Sequence, residues 1–461
     1  MKKLFVLFLV LCMMVAMVAC GNKAPAADAP AADAPAADAP AADAPAADKP
    51  AADAPAADAP AADAADKEEV AIEVWVAQVD WADAWDVMEA KFEEEYPWID
   101  VQHVGLGETD FVTTRLAAND LPAIIQQNNS PVMDQLVADG LLVDLTNYDC
   151  AQYMAPTYAD AFTKDGKLIG MCQGAAFSTM FYNMAILEEA GWTEPPATWD
   201  ELLQCCADIE EKTEAAPLVT AAGKTTTSWM ILELVLANLL NDADAVAAYQ
   251  EDFMNGTFDW AAVEGLAERM DAIAPYFLTG TATAHEEDAA NYMADGLAAM
   301  CLCGNWNGGM LVDAIETAGG TAACTLPPFG NGDVTWISNS PEDAFCITVD
   351  PNRTAAEQEA VDLFFNWMFE GENFMLIQNA RGTVPVVSSI TDDQISLPEC
   401  MIPVVADMNA APAVLMGFNL WGPEFKDAAC GAIQGLLSGD NDAAALVAKM
   451  VEMMPKSYKN Q

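Results

Sequence analysis

Apolar and polar positions alternate over Ile72-Glu73-Val74-Trp75-Val76, the period of two that marks a half-buried strand. The period then lengthens. Trp85, Met88 and Phe92 recur at helical intervals between Ala84 and Tyr96, which predicts a helix stopped by Pro97. Ile99 to Val104 reads as a second strand, Arg115 to Ala118 as part of a helix, and Leu121-Pro122-Ala123-Ile124-Ile125 as a third strand. Strand and helix alternate, and that order predicts an α/β fold with a mostly parallel, doubly wound sheet and ligand-binding loops at its carboxyl edge. Two further helix starts follow from capping boxes, Thr198 with Glu201 and Thr354 with Glu357, whose side chains can satisfy free backbone donors. The second helix runs through Val361, Leu363, Phe364, Phe365 and Trp367 to Gly371, and its rings are expected to pack in a core.

Hydrophobicity takes another form at the N-terminus. Lys2 and Lys3 precede an apolar run from Leu4 to Val18, then Ala19 and Cys20, the layout of a secretory signal. The run is shorter than the roughly 20 residues of a transmembrane helix, which stands as the alternative. The junction Met17-Val18-Ala19-Cys20-Gly21 resembles the bacterial lipobox, with Met17 where Leu is usual. That resemblance implies a signal peptide over 1–19 and a lipidated Cys20, whose acyl chains hold the protein at a membrane at about 0.8 kcal/mol per buried methylene. From Ala24 the unit Ala-Pro-Ala-Ala-Asp repeats every five residues, with aspartates at 28, 33, 38, 43, 48, 53, 58 and 63. Proline at each repeat stops a helix, alanine buries little, and regular charge keeps the chain solvated. Residues 20–66 are therefore expected to form a disordered tether with a reach on the order of 100 Å. A segment that binds a wall component is the alternative.

Charge narrows the ligand classes. The 461 residues hold 18 Lys and Arg against 71 Asp and Glu, a net of −53. Only four Lys and nine Asp lie in residues 1–66, so −48 of that charge belongs to the rest. Phosphate backbones need clustered cations, and the four arginines are Arg115, Arg269, Arg353 and Arg381, which excludes a nucleic-acid binder. The acidic field also disfavours anionic ligands and leaves neutral and cationic ones open. A 53% hydrophobic fraction supplies a core, and the length suggests two domains or more. Ten cysteines follow Cys20: Cys150, Cys172, Cys205, Cys206, Cys301, Cys303, Cys324, Cys346, Cys400 and Cys430. Most sit in apolar runs, so free buried thiols are expected, with disulfides open as the alternative for an exported chain. There is no Cys-x-x-Cys, and His103 and His285 lie far from the close cysteine pairs, so neither a metal nor a cofactor is expected and both histidines read as structural.

Several segments in order resemble the family 1 extracellular solute-binding proteins, the sugar-capturing lipoproteins of ABC importers related to maltodextrin-binding protein. They are Phe92 to Val101, Leu116 to Ala123, Asp139 to Leu145, and Asp165-Gly166-Lys167-Leu168-Ile169-Gly170 leading to Phe181-Tyr182-Asn183-Met184. Ala190-Gly191-Trp192, Pro195 to Leu202, Gly296 to Met300, Gly304-Asn305-Trp306 and Gly382-Thr383-Val384-Pro385 follow, so the match covers most of residues 70–455. The resemblance implies a two-lobed, periplasmic-binding-protein-like (type II) fold with hinge crossovers. One lobe would take 70–175 and 324–385, the other 176–323 and 386–461. Ligand would lie between them, and closure rather than bond making would be the mechanism. It further implies a monomer, anchored at the cell surface or in the periplasm, that hands a neutral saccharide to the importer's transmembrane subunits.

A sugar presents apolar ring faces and a rim of hydroxyls, so its site needs aromatic plates and planar hydrogen-bonding groups. The resemblance makes Trp306 and Trp421 the stacking candidates, with Tyr182 near the hinge. Position after the predicted strands adds Gln78, Asp80 and Trp81, then Glu108, then Gln127, Asn128 and Asn129, while Asn305 lies beside Trp306. Arg381 either chelates vicinal hydroxyls or clamps a carboxylate. Three alternatives remain: the same fold binding an oligopeptide or a polyamine, a loaded sensor for a membrane kinase, and an extracellular glycoside hydrolase. The last needs only two carboxylates about 5 to 10 Å apart, although two histidines make a Ser-His-Asp set implausible.

Overall fold

The computed structural model describes residues 67–76, 82–105, 115, 118, 120–223, 225–332, 334–381, 384, 386–390 and 394–457. Contacts divide the chain into Met1–Pro60 and Ala61–Gln461, and every described residue belongs to the second unit. The expected signal, Cys20 and most of the repeat linker fall in the first, and the whole span 1–66 lies outside the described residues. Among the described residues no helix is long and apolar enough to cross a membrane.

The first sheet begins as the periodicity predicts. β1 (Val70–Val76) and β2 (Ile99–Gly105) pair in parallel, and β3 (Ile124–Gln127) runs parallel on the other side of β1. The helix Ala82–Glu95 connects β1 to β2 and buries Trp85, Met88 and Phe92 completely, while the chain turns at Pro97. β4 (Thr163–Lys164) and β5 (Lys167–Leu168) form a small hairpin, and β6 (Met171–Cys172) edges the first sheet. β7 (Ala175–Asn183) is buried at all nine positions and is the spine of a second sheet. A strand covered on both faces reads as a continuous apolar run, which is the character of Ala-Ala-Phe-Ser-Thr-Met-Phe-Tyr-Asn.

Around β7 the pairing is largely antiparallel. β9 (Ala298–Gly304) lies antiparallel on one side, with β8 (Ala216–Val219) parallel beyond it. On the other side β10 (Ala322–Thr325) and β11 (Ile337–Pro341) follow each other along β7, both antiparallel. β12 (Ala344–Ile347) returns to the first sheet, antiparallel between β3 and β6, and β13 (Ala413–Val414) edges the second beside β11. The expected mostly parallel sheet is thus corrected to two mixed sheets. Parallel order holds for β1 to β3, and it fails once later strands insert beside earlier ones in the reverse direction.

Three links join the sheets, and they are bonded to one another. The amide of Gln173 donates to Asp343 O at 3.1 Å, that of Glu342 to Gly174 O at 2.9 Å, and that of Ala175 to Val384 O at 3.0 Å. A Cβ on Gly174 would sit 2.7 Å from a Glu342 carboxylate oxygen and 3.1 Å from Val384 O, so the links meet in close packing from which a larger residue would displace Glu342. The first crossing runs through Gln173 to Ala175, from β6 into β7. The second comes at 342–343 and not at 324, because Cys324 pairs with Phe181 and Asn339 with Phe177, which binds 324–341 to the second sheet. After Val384 the chain still holds the first lobe, with Ala155 N bonded to Val386 O and Ser388 N to Tyr153 O. The third passage therefore ends nearer the helix Met401–Ala410, which packs on β10, than at 386.

Helix starts follow local chemistry. Thr354 and Glu357 form the full capping box, with Thr354 N to Glu357 Oε2 at 2.7 Å and Glu357 N to Thr354 Oγ1 at 3.2 Å. Its helix, Ala355–Met368, buries Phe364, Phe365 and Trp367 as core. At Thr198 only half of the box forms, because the Glu201 carboxylate accepts from Ala197 N instead. His103 is built into the fold: its backbone N–H and Nδ1 both meet Glu89 Oε1, at 2.7 and 2.9 Å. Asp86 completes a group with these two whose ligand atoms lie within 4.8 Å of one another. All ten cysteines after Cys20 are free thiols, nine of them buried.

Candidate functional site

The carboxyl edge of the first sheet is where β1, β2 and β3 release their loops. Gln78, Asp80 and Trp81 after β1 and Glu108 after β2 lie outside the described residues. The loop after β3 is described. Gln127, Asn128 and Asn129 are all half-buried, and Gln127 Nε2 donates to Asn128 Oδ1 at 2.9 Å and to Ser130 Oγ at 3.3 Å. Asn129 is fixed by Nδ2 donating to Ala161 O at 2.9 Å. Its own carbonyl accepts from Asn419 Nδ2 at 3.2 Å, and Asn419 belongs to the helical turn Gly417–Leu420 of the second lobe. The two lobes thus meet at the amide-rich loop that the strand pattern singled out.

In the second lobe, β9 ends at Gly304 and passes into the single turn Asn305–Asn307. The Trp306 ring folds back over Gly304, where a Cβ would come within 2.2 Å of ring carbons, so the glycine is what lets the ring lie there. Trp306 is half-buried, with Nε1 donating to Glu286 Oε1 at 3.1 Å. Its ring therefore combines an anchored edge with accessible surface.

Three sequence candidates are sequestered, which corrects their expected contact with ligand. Asn305 is fully buried, its Oδ1 accepting from Phe177 N at 2.8 Å and its Nδ2 donating to Ala175 O at 3.0 Å. It splices the end of β9 to the start of β7, and at 0% exposure neither amide atom faces the surface. Asn305→Ala is expected to lower stability by about 2 kcal/mol, since two buried backbone groups lose their partners; urea unfolding reads this directly. Tyr182 is fully buried with its hydroxyl on Thr325 Oγ1 at 2.9 Å. Trp421 is 1% exposed, its Nε1 donates to the Tyr249 hydroxyl at 3.0 Å, and neighbouring rings surround it. Arg381 ends the helix Glu372–Arg381 close to the third crossing, and its side chain lies outside the described residues.

Sequence reasoning passed over Glu233 and Asn419. Glu233 lies in the helix Met230–Leu240, which is apolar on every side, and is 2% exposed. Ser338 Oγ donates to its Oε2 at 2.7 Å. Burial pushes its carboxyl up to about 8, against the Ser338 hydroxyl and the Gly417 backbone, which favour the charged form. A Cβ on Gly417 would lie 2.7 Å from Glu233 Oε1, so this group sits directly behind the turn that carries Asn419. The signal was available: a single acid within Met-Ile-Leu-Glu-Leu-Val-Leu has no solvent face to occupy.

A partly buried ring and planar amides are the side-chain types that a neutral, hydrogen-bonding ligand needs. Known proteins share the architecture. A family model described as a bacterial extracellular solute-binding protein matches residues 88–400. A xylose/arabinose-binding protein of Haloferax volcanii is 26% identical over 238 residues, 48% of this chain and 49% of that protein. A diacetylchitobiose-binding protein of Streptomyces coelicolor is 23% identical over 181 residues, 38% of each chain. This chain spans about half the length of these curated relatives or less. A solved chitin oligosaccharide-binding protein superposes with a TM-score of 0.71 at 19% identity, over 85% of this chain and 99% of the other. That likeness shows the two-lobed α/β fold.

Proposed function

Because the chain belongs to the bacterial extracellular solute-binding proteins, a family of binding proteins and not of enzymes, we propose that it captures a neutral sugar or short oligosaccharide between its lobes and delivers it to the membrane subunits of an ABC importer. The observation that carries this reading is the meeting of the lobes at Asn129 and Asn419, on a three-link hinge. Ligand bridging the two lobes would stabilise the closed form, because only there are both sets of contacts made. The curated relatives bind xylose or arabinose and diacetylchitobiose, which supports a saccharide cargo. In this reading Trp306 stacks on a ring face, and Gln127, Asn128 and Asn129 read hydroxyls. Gln78, Asp80, Trp81, Glu108 and Arg381 complete the proposed set.

Family membership carries an extracellular or periplasmic location with it. The finer address is proposed from the sequence alone: a signal over 1–19, lipidation of Cys20, and a tether to residue 66 that holds a monomeric binding domain off the membrane. A cationic cargo, such as a polyamine or a basic peptide, is the second reading. It is favoured by the net −48 beyond residue 66 and by the Glu286 carboxylate at the Trp306 indole.

Thermal unfolding against mono- and oligosaccharides, peptides and polyamines tests both readings. A ligand at 100 times its Kd adds about 2.7 kcal/mol. One saccharide class is expected to raise Tm, and Trp306→Ala is expected to weaken its binding by about 1 kcal/mol or more. A rise confined to peptides or polyamines overturns the sugar assignment. Unchanged affinity in a folded Trp306→Ala protein removes that ring from the site.

A further inference from the structure

The chain makes its last landing on the second lobe beside a pair of cysteines. Cys324 lies in β10, and Cys400 caps the helix Met401–Ala410. The Cys324 thiol donates to the Cys400 carbonyl at 3.0 Å, across 76 residues of sequence, which sets the two side chains beside each other. Other close pairs differ in kind. Cys301 and Cys303 share one strand and are wholly buried, and Cys205 and Cys206 are consecutive in one helix. Cys324 and Cys400 come from two packed elements, the first residue 8% exposed and the second only partly buried, so a reagent can reach Cys400 and Cys324 can follow.

Their reactivities are also unequal. Interaction with the Cys324 side chain holds the Cys400 thiol below the ordinary cysteine range, although burial opposes it. Cys324 is pushed up by that same contact and by burial. The more acidic thiol is thus the more accessible one, the arrangement that favours attack by Cys400 and resolution by Cys324.

We propose that Cys324 and Cys400 form a disulfide by exchange with a disulfide oxidant once the chain is outside the cytoplasm. The Cys400 thiolate attacks one sulfur of the oxidant, breaks its S–S bond, expels one thiolate and leaves a mixed disulfide on Cys400. Cys324 then gives its proton to solvent, attacks Cys400 Sγ and expels the second thiolate. Two protein thiols are oxidised, and one external disulfide is reduced to two thiols. An extracellular location is where such a bond persists. The bond would close a loop that holds the second and third crossings, stapling both ends of the first lobe's returning segment to the second lobe.

The test incubates the full chain with oxidised glutathione, alkylates it in denaturant and maps the peptides by mass spectrometry. The expected result is a crosslinked pair holding Cys324 and Cys400, lighter by two hydrogens, which reduction resolves, together with a higher Tm for the oxidised protein. Cys324→Ser is expected to accumulate glutathione on Cys400, and Cys400→Ser to leave Cys324 unmodified at the same time. Full alkylation of both thiols after oxidation overturns the proposal. So does a stable glutathione adduct on Cys400 of the unsubstituted protein, or a crosslink from either cysteine to another partner.

Discussion

Trp421→Ala is expected to destabilise the protein by about 3–5 kcal/mol, the range for removing a fully buried large aromatic side chain, with no ligand present. The ring lies between Phe425, with centroids 5.1 Å apart, Trp229 at 5.9 Å, Phe253 at 6.0 Å and Trp260 at 6.2 Å. Phe425 is four residues on, while Trp229, Phe253 and Trp260 come from elements far earlier in the chain, so the four rings are held by different parts of the fold and cannot all move inward to fill the space left behind. The indole N–H bond to the Tyr249 hydroxyl would also be lost. Urea denaturation of the ligand-free protein measures the loss. Near-normal stability together with weakened ligand binding would restore Trp421 as a stacking surface and defeat the packing argument.

The second large effect is a pH dependence set by Glu233. Its carboxyl has an ordinary value of 4.5 and is pushed up to about 8 when folded, chiefly by burial. Below pH 4.5 the group is protonated in folded and unfolded chains alike, and its contribution to stability is fully present. Between 4.5 and 8 the unfolded chain gives up the proton while the folded chain keeps it, so stability falls as pH rises, by up to about 1.4 kcal/mol per pH unit. Above the folded value the loss levels off, at a total on the order of 5 kcal/mol. Glu233→Gln keeps an oxygen for the Ser338 hydroxyl and removes the titration. Comparing urea midpoints of the two proteins at pH 5 and pH 8 isolates this group from the other carboxylates. The variant is expected to gain most at pH 8, and an equal difference at both values would show that Glu233 does not titrate in this window.

Local features were legible because they rest on neighbours in sequence. The helix Ala82–Glu95 announced itself through Trp85, Met88 and Phe92, and the Thr354 box through a four-residue pattern. Strand partners depend on distant residues. Nothing near Cys324 or Asn339 says that they pair with Phe181 and Phe177, which is why 324–341 was expected in the other lobe. The site shows the same division. The amide loop after β3 is proposed from a strand and its end, and Trp306 from a short motif. Asn305 and Trp421 were misread because a polar residue beside a tryptophan, and a tryptophan before a glycine, look alike whether they face a ligand or a core. Burial is decided by partners such as β7 and the helix Ala243–Met254, which lie far off in sequence.

The hinge also bears on how the chain is delivered to its place of work. An extracellular protein must cross a membrane, and a thread that folds early jams on the way. Here the first sheet stays incomplete until β12 has appeared, more than 260 residues after β1 begins, and the second waits for β13. Neither lobe is one continuous stretch that can finish by itself, and such distant pairings form slowly. Threading the chain three times between its lobes therefore leaves both sheets a strand short until β12 and β13 have been made.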